Sequence, residues 1–155
     1  MSQLYIKEKV LTLRDKYKVI DKEEGTLYTV EGSFLRIPKA FTIKNAKEKV
    51  IGKIEKKLIA IRKKYVIELK GKDVATITKQ VAVKDKFKIE SKDIEIEGDW
   101  WNLNFEIHKK GKKVAKISKK VMRFGDTYEL NILGESLEPL VIAIVVVIDH
   151  IREDD

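Results

Sequence analysis

Three lysines recur at the same place in a repeated pattern, and their side chains are the first candidates for chemistry. Each lies two residues beyond the last aliphatic residue of an alternating run: Lys56 after Ile54, Lys79 after Ile77 and Lys119 after Ile117. In a β-strand this spacing turns the lysines toward the apolar face, where an unpaired ammonium is costly. Each is therefore expected at a strand end or bulge, or with its ammonium extended to water. A basic ring of this kind could bind phosphate head groups or another anion, although solubilising strand-end lysines are the commoner explanation.

Basic residues also cluster along the chain, in segments that neighbouring hairpins could merge into one surface patch. Such a patch would attract anionic lipid or nucleic acid. Proteins that bind nucleic acid usually add exposed aromatic residues for stacking. Most aromatic residues here fall on the apolar register, so nucleic-acid binding is not expected. Ordinary surface charge is the commoner explanation of these clusters, which are Arg62-Lys63-Lys64, Lys109-Lys110 with Lys112-Lys113, and Lys119-Lys120 with Arg123.

The segment Asp99-Trp100-Trp101 combines a carboxylate with two adjacent indoles. Because neighbouring residues of a strand face opposite ways, one indole is expected to point outward. An exposed Trp100 beside basic residues could lie at a membrane interface or a ligand site. Packing at a corner of the sheet is the commoner role of such a pair.

Catalytic, metal and cofactor chemistry is not predicted. The chain has no Cys, so it offers no thiolate nucleophile and no Cys-based zinc site. His108 falls on the polar face of its strand and His150 follows the apolar C-terminal run, and two isolated histidines do not make a metal site. Asp149 is expected to pair with a lysine rather than to act as an acid or base. The sequence contains no Gly-rich phosphate loop and no nucleophile elbow.

The elements that must position these residues follow from an internal repeat. An aromatic residue, any residue and an aliphatic residue recur with steps of 24, 24, 22, 18 and 23 residues between the aromatics. Most instances precede a polar turn and a second alternating run, which predicts one β-hairpin per unit and leaves no room for crossover helices. With an added strand around Leu4–Leu13, about twelve strands are expected. The instances are Tyr17/Val19, Phe41/Ile43, Tyr65/Ile67, Phe87/Ile89, Phe105/Ile107 and Tyr128/Leu130.

The C-terminal run Leu140–Ile148 has no polar face. It is too short for a membrane span, which needs about 20 apolar residues, so a transmembrane helix is not expected. Its β-branched residues favour a strand. The length of the whole segment favours a helix, as does Pro139 in a first turn with Ser136 placed as the cap. We predict a helix over about residues 137–151, buried on every side.

Strands and helix combine into one architecture. A barrel of about twelve strands is wider than its own side chains can fill, and the apolar helix would occupy the remaining space. The predicted fold is therefore mostly β (α+β): a closed antiparallel barrel of about twelve strands around a buried hydrophobic C-terminal helix. Residues 1–155 are expected to form a single domain.

The charge content and the N-terminal residues of the chain bear on its cellular location. Charged residues make up 37% of the chain and the formal net charge is +8. The N-terminal residues lack the apolar core of a signal peptide, so we expect a cytoplasmic protein, which could be peripheral at a membrane.

At Glu97-Gly98-Asp99-Trp100-Trp101 the sequence resembles the LURP-one-related proteins, and the resemblance covers nearly all 155 residues. This family looks related to the C-terminal domain of Tubby and to phospholipid scramblases. The resemblance therefore implies a Tubby C-terminal-like barrel of twelve strands around a buried C-terminal helix. Further matching stretches are Val30–Gly32, Val114–Lys120, Gly125–Tyr128 and the apolar tail that ends in Asp149.

The resemblance implies binding rather than catalysis. Tubby-like domains bind phosphoinositides through exposed Lys and Arg, but no specific head-group motif aligns with this chain, and the Cys-rich and acidic calcium segments of scramblases have no counterpart. We expect a non-enzymatic binding module without cofactor, whose partner is a phosphoinositide-like ligand or an anionic membrane surface. A scaffold or protein-interaction domain without a small ligand is the alternative. The candidate ligand-binding residues are Lys56, Lys79, Lys109, Lys110, Lys119, Lys120, Arg123 and Trp100.

Overall fold

The computed structural model describes residues 2–9, 16–23, 25–33, 40–59, 62–80, 87–91, 93–122 and 125–154. Within these residues the chain forms twelve β-strands, one 3-10 turn (Glu135–Leu137) and one α-helix, α1 (Glu138–Asp154). The strands are β1 (Ser2–Lys9), β2 (Lys16–Ile20), β3 (Thr26–Gly32), β4 (Ala40–Asn45), β5 (Val50–Ile59), β6 (Arg62–Leu69), β7 (Lys72–Gln80), β8 (Phe87–Glu90), β9 (Ile94–Asp99), β10 (Asn104–Lys109), β11 (Lys112–Met122) and β12 (Gly125–Ile132).

All twelve strands belong to one antiparallel sheet that is almost closed on itself. The sheet runs from β8 back through β7 to β1, where β1 pairs with β12, and then through β11 and β10 to β9. Its two end strands, β8 and β9, lie beside each other. The predicted antiparallel barrel of about twelve strands is confirmed. The first strand is Ser2–Lys9; of the predicted span, around Leu4–Leu13, residues 10–13 lie outside the described residues.

The sequence repeat marks every second strand. Its six aromatic residues lie in the even-numbered strands β2, β4, β6, β8, β10 and β12. Because consecutive strands are antiparallel, the even-numbered strands all run in the same direction, so their aromatic residues lie near one end of the barrel. Five of these side chains are buried inside it: Tyr17, Phe41, Tyr65, Phe105 and Tyr128. The side chain of Phe87 lies outside the described part.

Helix α1 lies inside the barrel, as its lack of a polar face requires. Residues Val141–Ile148 are all 0% exposed. The helix begins at Glu138, close to the predicted start, and Pro139 occupies its first turn, where the missing N–H has no intrahelical partner to lose. Ser136 lies within the preceding 3-10 turn, so it is not the helix cap that the sequence predicted. Of the helices in the described residues, none combines the length and apolar character that crossing a bilayer requires.

Each end of the barrel is named by the terminus of helix α1 that lies there. At the helix-N end lie Glu138, bonded to Tyr28 of β3, and the hairpin turns at Lys70-Gly71 and Lys110-Gly111. At the helix-C end lie Asp149 and the turn between β9 and β10, residues 100–103. The aromatic residues of the repeat belong to the helix-C end, because they contact Asp149 and His150.

Candidate functional site

The strand register gathers the three predicted lysines at the helix-C end. In each repeat, one residue of the preceding strand pairs directly with the aromatic residue. Directly paired residues of an antiparallel sheet share a face, so Lys56, Lys79 and Lys119 all belong to the inward face. The six pairs are Glu8–Tyr17, Gly32–Phe41, Lys56–Tyr65, Lys79–Phe87, Gly98–Phe105 and Lys119–Tyr128.

The three lysines differ in depth. Lys79 is only 2% exposed, whereas Lys56 and Lys119 are half-buried. Lys79 lies next to the end of β7, which is one of the alternatives that the sequence predicted, but its side chain is enclosed and does not extend to water. Lys56 and Lys119 lie inside β5 and β11 rather than at their ends. The positive charges of the three lysines are therefore spread from the interior of the barrel toward its rim.

A fourth lysine joins this end of the barrel. Lys63 of β6 pairs directly with Lys79 of β7 and is half-buried on the same face. This register brings two positive charges together on one face of the sheet. In the sequence, Lys63 stands out only as a member of the basic cluster Arg62-Lys63-Lys64. We call the group formed by Lys56, Lys63, Lys79, Lys119 and the helix residue Arg152 the basic mouth.

Asp149 anchors the helix at the basic mouth. Its buried carboxylate accepts hydrogen bonds from the Tyr17 Oη at 2.8 Å and from the Tyr128 Oη at 2.5 Å. Arg152 Nη1 lies 3.7 Å from the same carboxylate. The expectation that Asp149 pairs with a lysine is not met by these contacts. The sequence repeat places both tyrosines on the apolar face, but nothing in it indicates that their hydroxyls reach the helix.

His150 links the helix to the lysines through aromatic rings. It is buried, and its ring packs edge-on against Phe41 at 5.3 Å and Tyr65 at 5.9 Å between centroids. Lys56 Nζ lies 5.8 Å from the centroid of the same Tyr65 ring. The helix terminus and Lys56 of the basic mouth thus contact the same aromatic layer.

The tryptophan pair borders the same end. Trp100 and Trp101 form the turn after β9 and pack edge-to-face with centroids 5.6 Å apart, and both are partly exposed. Trp100 also packs against the core. Hydrogen bonds from Asn102, and more weakly the positive charge of Arg152, lower the pKa of Asp99 below its ordinary value. This turn therefore lies close to the basic mouth.

The turn depends on a glycine. Gly98 has φ +112, a conformation that L-residues other than glycine rarely adopt, and a Cβ there would lie 2.9 Å from the Asn104 carbonyl oxygen. Gly98 is also the residue opposite Phe105, in the ring position that lysine occupies in three of the other five repeats. The same glycine thus leaves space for the Trp100 turn and leaves this position of the ring uncharged.

The remaining candidate residues lie elsewhere. Lys109 and Lys110 flank the β10–β11 turn at the helix-N end, so they do not join the basic mouth. Lys120 is exposed and pairs outward with Glu129, its Nζ 3.3 Å from Oε2. Arg123 lies outside the described residues. The structure therefore brings together Lys56, Lys79, Lys119 and the Trp100 turn, and separates Lys109 and Lys110 from them.

Two cavities lie at the helix-N end. One of about 500 Å³ has Lys49, Lys53 and Lys70 in its lining, and one of about 540 Å³ includes Tyr28 and Glu138. Neither contains a residue of the basic mouth. The lysines in the first cavity are exposed hairpin residues rather than inward-facing ones.

The outer wall carries a cluster that the sequence analysis missed. His108 of β10 lies beside Glu106 and Glu97, and one ligand-type atom from each of the three side chains lies within 4.8 Å of the other two. His108 is therefore not the isolated histidine that the sequence suggested. The register between β9 and β10, which places Glu97 opposite Glu106, creates the cluster.

Comparisons with known proteins agree with this architecture. A family model described as LURP-one-related matches residues 2–149. The uncharacterized protein YxjI of Bacillus subtilis (strain 168) is 31% identical over 156 residues, covering 100% of this chain and 96% of that protein. An X-ray structure of a protein from Arabidopsis thaliana shares the fold, with a TM-score of 0.57 at 10% identity over 96% of this chain and 92% of that one. The protein therefore belongs to the LURP-one-related family.

Proposed function

We propose that the protein is a non-enzymatic binding module whose basic mouth binds the phosphate of an anionic phospholipid head group. The observation that supports this most strongly is the convergence of Lys56, Lys79 and Lys119 from three separate repeats at one end of the barrel. Lys63 and Arg152 add two further positive charges there. The Asp149 carboxylate at this end is already engaged by two tyrosines.

Phosphate suits such a site for physical reasons. Lysine binds phosphate as a compact point charge with three donors. The apolar barrel beside these charges has a low dielectric constant, which concentrates their field. Lys79 supplies charge from the interior, and the half-buried Lys56 and Lys119 supply it nearer the rim.

A lipid is favoured over a free phosphate by the aromatic pair beside the mouth. Indole rings prefer the interface between water and hydrocarbon, where one edge is apolar and the N–H is wet. Trp100 and Trp101 are partly exposed at the same end as the lysines. The proposal therefore describes a cytoplasmic protein that is peripheral at the membrane and approaches it with the helix-C end.

Vesicle co-sedimentation tests the proposal. The protein is mixed with neutral phosphatidylcholine vesicles, or with vesicles that also contain phosphatidylserine or a phosphoinositide, at low and high salt. We expect binding to anionic vesicles only, weakening as salt screens the charges. Competition by inorganic phosphate would identify the phosphate rather than the acyl chains as the recognised group. Indifference to lipid charge would overturn the proposal and favour the scaffold alternative.

A further inference from the structure

The cluster on the outer wall consists of one imidazole and two carboxylates held on adjacent strands. His108 Nε2 lies 3.2 Å from Glu106 Oε1 and 3.4 Å from Glu97 Oε2. The His108 side chain is 18% exposed, against 32% for Glu106 and 60% for Glu97. The imidazole is therefore held in the wall while both carboxylates remain within reach of solvent.

These separations match those between ligands of a single metal ion. Ligands at about 2.0–2.2 Å from a divalent transition ion lie about 3–3.5 Å from one another. The two distances from Nε2 fall in this range, and the three ligand atoms already lie within 4.8 Å of one another. A small rotation of the exposed Glu97 side chain would complete a three-ligand face.

The strand register also favours a cation here. Glu97 and Glu106 pair directly across β9 and β10, and like charges in that arrangement are destabilising. A cation between them turns this repulsion into attraction.

Lys113 fits this arrangement as an outer partner. Its Nζ lies 3.0 Å from Glu106 Oε2, which leaves Glu106 Oε1 turned toward His108. A bulge in the β10–β11 pairing places Lys113 opposite His108 on this outer face. Metal-binding carboxylates are commonly oriented by such hydrogen bonds.

We propose that Glu97, Glu106 and His108 form a binding site for a divalent transition ion of the Zn²⁺ class. Imidazole selects such ions over Mg²⁺ and Ca²⁺, which prefer oxygen ligands alone. Three protein ligands leave at least one position for water or an external ligand. The site lies on the wall between β9 and β10 and is separate from the basic mouth.

The amino-acid composition makes the proposal easy to test. The chain has no Cys and two His, and His150 is buried inside the barrel. Tag-free protein is titrated with ZnCl₂ by calorimetry, and with CoCl₂ by visible absorption, which reports nitrogen and oxygen coordination directly. We expect one Zn²⁺ per chain, a rise in melting temperature with Zn²⁺, and no comparable effect of MgCl₂.

Variants separate this site from general surface charge. His108→Asn and Glu106→Gln should each lower the Zn²⁺ affinity at least tenfold. Glu31→Gln removes the same charge from the outer face of β3, far from the cluster, and should leave the affinity unchanged. Circular dichroism establishes that each variant is folded. An unchanged isotherm in both ligand variants, or no heat and no cobalt spectrum with the wild-type protein, would overturn the proposal.

Discussion

The Tyr128 hydroxyl donates a 2.5 Å hydrogen bond to Asp149 and thereby ties the end of the central helix to strand β12. Tyr17 of β2 donates to the other carboxylate oxygen at 2.8 Å. Both tyrosines are aromatic members of the sequence repeat. The repeat that builds the barrel wall thus also provides the donors that make a buried carboxylate tolerable.

Replacing Asp149 by Ala should destabilise the fold by about 2–4 kcal/mol, because it leaves two buried hydroxyls without their acceptor. Tyr128→Phe should cost less, about 1–2 kcal/mol, since Tyr17 and Arg152 still contact the carboxylate. Urea unfolding measures both changes. A chain with Asp149→Ala that unfolds at the wild-type urea concentration would show that the anchor contributes nothing.

The enclosure of the helix makes a second prediction. Val145 is 0% exposed, and Val145→Asp should destabilise the fold by more than about 4 kcal/mol, because the new carboxylate has no water. Val50 is 45% exposed, so the same exchange there, Val50→Asp, should change stability by less than about 0.5 kcal/mol. Thermal melts of the two variants make the comparison. Similar losses in both would contradict an enclosed helix.

Alkaline stability should depend on Tyr28. Burial, followed by the hydrogen bond to Glu138 and the negative charges of Glu138 and Glu135, raises the pKa of the Tyr28 phenol well above its ordinary value. The unfolded chain therefore releases this proton near pH 10 while the folded chain retains it, so the contribution is complete below that pH and is lost as the pH rises.

Tyr28→Phe isolates this contribution. Its stability should fall less than that of the wild-type protein as the pH rises from about 8 to about 11. Urea midpoints measured at intervals across this range provide the comparison. Parallel curves for the two proteins would mean that the Tyr28 proton is not linked to folding.

Much of the fold follows from the sequence because periodicity is a local property. The aromatic spacing identified every even-numbered strand, and the apolar run identified the helix. The position of Lys109 and Lys110 could also have been found. The turn that follows β10 must lie at the opposite end of that strand from Phe105, and therefore away from Lys56, Lys79 and Lys119.

Other features depend on register and could not be found in the same way. The bonds from Tyr17 and Tyr128 require knowing how far the helix extends into the barrel. The cluster at His108 requires the exact pairing of β9 with β10, which the turn at residues 100–103 sets. That turn contains Leu103 at φ 54 and follows Gly98 at φ 112, and neither conformation has a signature in hydrophobic spacing.

The most direct test of the basic mouth compares two variants that remove the same charge from opposite ends of the barrel. Lys56→Gln with Lys119→Gln alters the mouth, and Lys109→Gln with Lys110→Gln alters the helix-N end. If each mouth lysine contributes about 1 kcal/mol, the first pair should weaken binding to phosphatidylserine vesicles about thirtyfold. The second pair should bind nearly as well as the wild-type protein. Equal losses in the two variants, or no loss in the first, would contradict a binding site at the mouth.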